Sequence, residues 1–310
     1  MKYVLFGAGE VGKRLLNVLG KERVSFFCDN NLFGKDVEGV SILSFEELIN
    51  LEEDYIIVIA VERQDAVRQI SEMLNENQLP WISSVEVLRR EGVNLIQHKH
   101  DTELGFWEKG YKSREDADIK YYKDLMLAVA GEKDERFLEG KVIADFGCGP
   151  RGSLSWLDIA KERIGIDVLV TEYMDKFGNG MIQHDMIYVT SSEKYIPIPS
   201  FYVDCLMTIN SLDHVSDLGA MCLEIKRIVK PGGLLIGSFN LFEPPTECEP
   251  QTLTEELLRE ELFDEFDMQS YRLALQDTED SYKNVRNGIT IKNPDGKNPC
   301  VLWVRGIKRG

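Results

Sequence analysis

Twice along this chain a short apolar strand runs straight into a glycine loop. The first is Tyr3–Phe6, followed by Gly7-Ala8-Gly9-Glu10-Val11-Gly12. The second is Val142–Phe146, followed by Gly147-Cys148-Gly149-Pro150-Arg151-Gly152. Each loop leads into a helical pattern and then into another apolar strand that ends in an acid, Asp29 in one case and Asp167 in the other. A strand that turns sharply into a helix and returns as a parallel strand is a βαβ unit, and linked units build a parallel sheet with helices on both faces. All-α and all-β architectures are therefore excluded. The spacing predicts an α/β protein with two doubly wound domains, residues 1–92 and 93–310, the second prefaced by a helical layer at 93–140.

The composition fits that reading. With 310 residues and 43% hydrophobic content, the chain is long enough for two cores. Its formal charge of −17 argues against a broad grip on a phosphate backbone, so no nucleic-acid partner is expected. Small anionic ligands stay open, because backbone amides bind them whatever the net charge. No apolar run approaches the roughly 20 residues that span a bilayer, so no membrane partner is expected. Cys28, Cys148, Cys205, Cys222, Cys248 and Cys300 lie far apart, with no C-x-x-C and no pairing with histidine that would hold a metal. They read as reduced thiols of a cytoplasmic protein.

Between the loops the pattern alternates. Glu10–Leu19 and Gln64–Asn75 have helical periodicity, Val24–Cys28 and Tyr55–Ala60 read as buried strands, and Ser44 caps a short helix. Residues 103–107 and 116–129 are also helical in spacing. They form either a layer packed on the next sheet or a lid over a site. After the second loop we expect a helix at Ser153–Ala160, strands at Arg163–Val168 and Tyr202–Ile209, a helix at Leu218–Val229 and a strand at Gly233–Phe239. A third strand is expected ahead of His184-Asp185. Phe266–Leu275 and Cys300–Lys308 close the pattern, separated by a turn-rich excursion.

In the first loop, Gly7, Gly9 and Gly12 permit a tight turn and close backbone approach, and Asp29 stands where it would accept hydrogen bonds from a ribose. A tight βα turn without a ligand is the plainer alternative. The stretch resembles the small Rossmann-like domain of the sialic-acid and bacillosamine O-acetyltransferases, on Phe6-Gly7-Ala8-Gly9, Cys28-Asp29-Asn30 and the Ile57–Ala60 strand. That resemblance implies a nucleotide-sugar ligand.

The second loop carries more. Asp145 closes its strand, Gly147 and Gly149 follow, Asp167 ends the next strand, and Lys230-Pro231-Gly232-Gly233 turns a helix into a strand. From about Gly140 onward the chain resembles the class I S-adenosylmethionine-dependent methyltransferases. The resemblance implies their sheet with its reversed last strand, and S-adenosyl-L-methionine as cofactor. It implies that Gly147 and Gly149 admit the methionyl and ribose portions, that Asp167 accepts the ribose hydroxyls and that Asp185 takes the adenine amino group with Met186 beside the ring. Asp145 would orient the loop, and Asn210 would line the methionyl side. One departure stands out: Arg151 occupies a position that is often glycine, and Gly152 follows it.

For a base, His214 leaves the fourth strand where acceptors approach, and His184 precedes the expected adenine contact; either is also explained by packing. Glu243, Glu247 and Glu249 form either a solvated face or a site for an amine or metal. The leading expectation is a methyltransferase for a small-molecule acceptor, a sugar or nucleotide sugar being favoured. A non-catalytic ligand sensor is the alternative, and a nicotinamide-dependent oxidoreductase fits less well because the first domain has no second mononucleotide half.

Overall fold

A computed structural model describes residues 2–52, 54–111 and 115–310. It falls into two compact units. The first comprises Met1–Lys99 and Glu243–Pro250; the second comprises His100–Phe242 and Gln251–Gly310. The sequence reading divides the chain at 92/93, whereas the contacts assign residues 93–99 to the first unit and return eight residues from far downstream to it. Within the expected helical layer, residues 112–114 lie outside the described residues.

The first unit is a six-stranded sheet. Strands β1 (Lys2–Phe6), β2 (Val24–Cys28), β3 (Asp36–Val37), β4 (Val40–Leu43), β5 (Tyr55–Ile59) and β6 (Trp81–Ser83) lie in the order β3-β4-β2-β1-β5-β6. All neighbours are parallel except the short β3–β4 hairpin. Helix α1 (Glu10–Leu19) turns Val11, Leu15, Leu16 and Leu19 onto one face of the sheet, with Tyr3, Leu5 and Val58. Helix α2 (Phe45–Ile49) begins in a capping box between Ser44 and Glu47. With α3 (Gln64–Glu76) it covers the other face, where Leu48, Ile57, Val67 and Leu74 meet Val4 and Phe6. A final helix, α4 (Ser84–Arg90), packs Val87 and Leu88 into the first core.

The second unit has seven strands: β7 (Val142–Phe146), β8 (Glu162–Asp167), β9 (Ile187–Thr190), β10 (Val203–Ile209), β11 (Val229–Leu241), β12 (Phe266–Leu275) and β13 (Cys300–Lys308). Their order is β12-β13-β11-β10-β7-β8-β9, with β13 antiparallel to both neighbours and β7 through β11 parallel. This is the class I methyltransferase sheet with its reversed last strand. The order changes direction at β7, so the loops after β7 and β10 leave on opposite faces and open a crevice at their carboxyl ends. Helix α8 (Leu218–Ile228) buries Met221, Cys222 and Ile225 against one face. Helix α6 (Glu115–Ala130) buries Leu125, Met126 and Val129 against the other, beside Trp156 and Trp303. Helix α5 (Leu95–Gly110) enters this unit from His100 onward, and α7 (Val170–Met181) links β8 to β9.

One expected helix is absent. Residues 151–160 form successive turns and no helix. Gly149 and Gly152 have φ of +57° and +68°, flanking a proline without an N–H, and only Gly147–Lys161 separates β7 from β8. Left-handed residues at 149 and 152 break the ladder where a helix would start, and the few residues left before β8 close in turns instead. The apolar spacing that suggested a helix instead buries Leu154, Trp156 and Leu157 from consecutive turns.

Candidate functional site

The second glycine loop owes its shape to two buried acids. Asp145, the penultimate residue of β7, is 3% exposed and accepts the Ser153 hydroxyl at 2.5 Å. Its other oxygen, Oδ1, is buried without a hydrogen-bond partner. Burial pushes this carboxyl up to about 7, with the Asp167 charge adding to the rise. Asp167, at the carboxyl end of β8, accepts the N–H of Gly149 at 3.0 Å and that of Leu169 at 3.0 Å. Burial and then the carboxylate of Glu103 raise it to about 6, against the pull of the two N–H groups and His214.

Gly147 is required by both backbone and space. Its φ is +76°, and a Cβ there would stand 2.2 Å from the Ser211 Cβ. Gly149 meets a different neighbour, because its Cβ would lie 2.9 Å from the Trp107 ring on α5. Trp107 also meets Tyr173 edge-on, and the Arg151 guanidinium lies 5.2 Å above its ring while donating to the Gly110 carbonyl. Arg151, the departure noted in the sequence, therefore ties the loop to α5. One turn before Trp107, Glu103 extends from the same helix, with Oε2 at 3.9 Å from the His214 Nδ1.

Where β10 ends, Asn210 adopts φ +48°. Its Nδ2 donates to the Tyr282 hydroxyl at 2.7 Å and its Oδ1 accepts the Ser238 hydroxyl at 3.1 Å. Trp303 Nε1 donates to the same Ser238 oxygen. Asn210 is thus the hub of a network that fastens the exit of β10 to β11, β13 and the excursion before β13. Tyr282 and Ser238 escaped the sequence reading, since neither sits in a glycine motif. His214 lies four residues further, in the turn ahead of α8.

Two expectations are corrected. Asp185 and Met186 precede β9, and Ile187 pairs with Ile164 near the start of β8, so both residues lie at the amino end of the strand. A parallel site at the carboxyl ends is a strand length away. The Asp185 carboxylate, 90% exposed, accepts from Arg163, and Met186 contributes to the core beside Gly165. The carboxyl end of β9 carries Thr190 and Ser191, the latter donating its N–H to the Asp167 carbonyl at 3.0 Å. His184 shares the wrong edge: its Nδ1 meets the Tyr188 hydroxyl at 2.6 Å and its ring packs over Gly152. The signal for the true strand was the short run Ile187-Tyr188-Val189-Thr190, which is weak beside an acid in the expected position.

In the first unit Gly7, Gly9, Gly12 and Asp29 come together. A Cβ on Gly12 would stand 2.1 Å from the Gly7 carbonyl oxygen, and one on Gly7 2.4 Å from that of Ala60. Asp29 accepts the N–H of Ala8 in the loop and those of Asn31 and Leu32 in its own turn after β2. Space around Gly9 is open, and this residue starts α1 without a side-chain cap. The glutamates divide. Glu247 is buried between Arg14 at 3.1 Å and His98 at 2.7 Å. Burial opposes its charge, but His98 and Arg14 hold it below the usual range. Glu249 accepts from Gln64 and Thr246.

Residues 144–237 match the family described as a methyltransferase domain, and residues 1–79 match one described as C2185-like, N-terminal. A malonyl-[acyl-carrier protein] O-methyltransferase of Yersinia pestis is 31% identical over 100 residues, 32% of this chain and 36% of that protein. The corresponding protein of Pseudescherichia vulneris is 29% identical over 112 residues, 36% of this chain and 41% of that one. The chain therefore spans well under half the length of these curated relatives. A solved SAM-dependent methyltransferase from Aquifex aeolicus superposes with a TM-score of 0.40 at 18% identity, covering 62% of this chain and 98% of that one.

Proposed function

We propose that this chain, whose second unit carries a methyltransferase domain, moves a methyl group from S-adenosyl-L-methionine to a small-molecule acceptor. The observation that carries this reading is the pairing of Asp145 and Asp167 beneath Gly147 and Gly149, at the carboxyl ends of neighbouring strands. The residues fit the cofactor. A buried carboxylate oxygen of Asp145 lacks a partner and suits an ammonium or a water bound to one. Asp167 uses one lone pair of each oxygen on backbone N–H groups and keeps the others for ribose hydroxyls.

The cofactor supplies a methyl group on a sulfonium, which an acceptor lone pair captures while the C–S electrons return to sulfur. The protein supplies alignment and a dry site. His214 beside Glu103 is the group placed to take a proton from a hydroxyl acceptor; a carboxylate or neutral amine gives up none before the transfer. The relatives act on a malonyl carboxyl, and the sugar or nucleotide sugar favoured by the first unit's resemblance offers a hydroxyl, so the two acceptor classes separate on this point. For the first unit we infer a nucleotide-type anion, supported by the open, uncapped start of α1 at Gly9.

The test is the formation of S-adenosylhomocysteine with sugars, nucleotide sugars, acyl carboxylates and amines as acceptors. Turnover with any of these supports the reading. Cofactor binding with no turnover across the panel would favour a sensor.

A further inference from the structure

The crevice beside the second glycine loop is lined by carboxyl groups from three elements. Asp145 comes from β7 and Asp167 from β8, and both are more than nine-tenths buried. Glu103 comes from α5, on the helix that Trp107 and Arg151 hold against the loop. The Glu103 carboxylate lies 3.9 Å from the Nδ1 of His214, and its charge acts on Asp167. Asp145 Oδ1 is buried and unpartnered.

We propose that Glu103 makes this pocket select the positively charged cofactor over its neutral, demethylated product. The inference rests on the methyltransferase reading and adds a residue that neither glycine motif contains. Cofactor and product share the adenine, ribose and amino-acid groups; they differ by one methyl and one positive charge on sulfur. Asp167 marks the ribose, and His214, leaving β10, marks the approach of the acceptor. The sulfur joins the ribose to the methyl that points at the acceptor, so a bound cofactor would carry its charge within reach of Glu103, which neighbours His214 and acts on Asp167. A carboxylate there loses its partner charge the moment the methyl leaves. Attraction for the bound ligand drops at that step, and the product is easier to release.

Calorimetry on the full chain tests this with S-adenosylmethionine and S-adenosylhomocysteine as separate ligands. The wild type should bind the sulfonium more tightly than the product. Glu103→Gln, which keeps size and removes charge, should weaken the sulfonium at least about fivefold more than the product. Trp107→Phe, which loosens α5 without altering charge, should weaken both ligands in proportion. A wild type that prefers the product, or a Glu103→Gln variant that loses both ligands equally, overturns the proposal. If Glu103→Gln does not fold, Glu103→Ala is measured in its place, with the same bias expected and equal loss of both ligands again overturning the proposal. Failure of the wild type to bind either ligand would sink the methyltransferase reading itself, and this proposal with it.

Discussion

Asp145 and Asp167 sit on adjacent parallel strands with both carboxyls out of water, an arrangement that costs stability whenever both are charged. Their folded pKa values, about 7 and about 6, stand above the ordinary 3.8. A group with a raised folded pKa binds more protons in the native state than in the unfolded one between those two values. Its contribution is therefore complete below about pH 4 and is lost as pH rises through 6 and 7. For Asp145 the displacement corresponds to on the order of 4 kcal/mol. Asp145→Asn removes the titration but keeps an acceptor for Ser153. Its melting temperature relative to wild type should rise between pH 5 and pH 8, as thermal scans at both values would show. A constant difference would mean that Asp145 stays ionised throughout. Asp167 has a second duty, as the acceptor of the ribose. Asp167→Ala should weaken S-adenosylhomocysteine at least about tenfold in calorimetry, since charge-assisted hydrogen bonds are worth roughly 1.5–3 kcal/mol each. Unchanged affinity in a folded variant would remove it from the site.

At the scale of elements, the link between β7 and β8 sets the chemistry of the crevice. Turns replace the helix there, so the loop itself starts no helix, and a cover comes from α5 through Trp107. The placement of β9 makes a clear expectation. His184 and Asp185 lie at the amino end, so His184→Ala and Asp185→Asn should each leave cofactor affinity and turnover within about twofold of wild type. A tenfold loss with either would contradict the register Ile164↔Ile187.

These same elements show what could be read from the chain alone. Strands β7, β8, β10 and β11 were legible because each is buried on both faces and reads as an apolar run. Gly147, Gly149, Asp145 and Asp167 were legible because the loop demands positive φ and the strand ends need acceptors. Strand β9 lies at the sheet edge with Ile187 and Thr190 exposed, so its pattern was faint, and the conspicuous His184-Asp185 pair drew the assignment to the wrong end. Residues 151–160 form turns under a helical pattern because buried apolar residues at i, i+2 and i+3 suit a turn as well as a helix. Trp107, Glu103, Ser238 and Tyr282 carry no local signal; only the folded chain brings them to the loop.

For the whole molecule, the question is whether the second unit works alone. The apolar clusters do not mix: those of the first unit draw on residues up to Leu95, and those of the second on residues from Leu104 onward. Every side chain assigned to the cofactor, together with Glu103 and Trp107, belongs to the second unit. A chain beginning at residue 93 keeps all of α5 and both faces of the seven-stranded sheet. What changes is the surroundings of Glu243–Pro250, which cluster with the first unit and lose residues 1–92. Glu247 would keep His98 but lose Arg14, and a buried carboxylate deprived of a partner moves toward water when its loop is free to do so. We therefore expect residues 93–310 to fold and to bind S-adenosylhomocysteine within about threefold of the full chain. Hydrogen exchange should quicken at 243–250 while β7, β8 and β10 stay protected, because the loop loses its ion pair and the strands lose nothing. Folding without binding would show that the first unit completes the cofactor site. Equal protection at 243–250 in both chains would mean that Arg14 does not anchor the loop that follows β11.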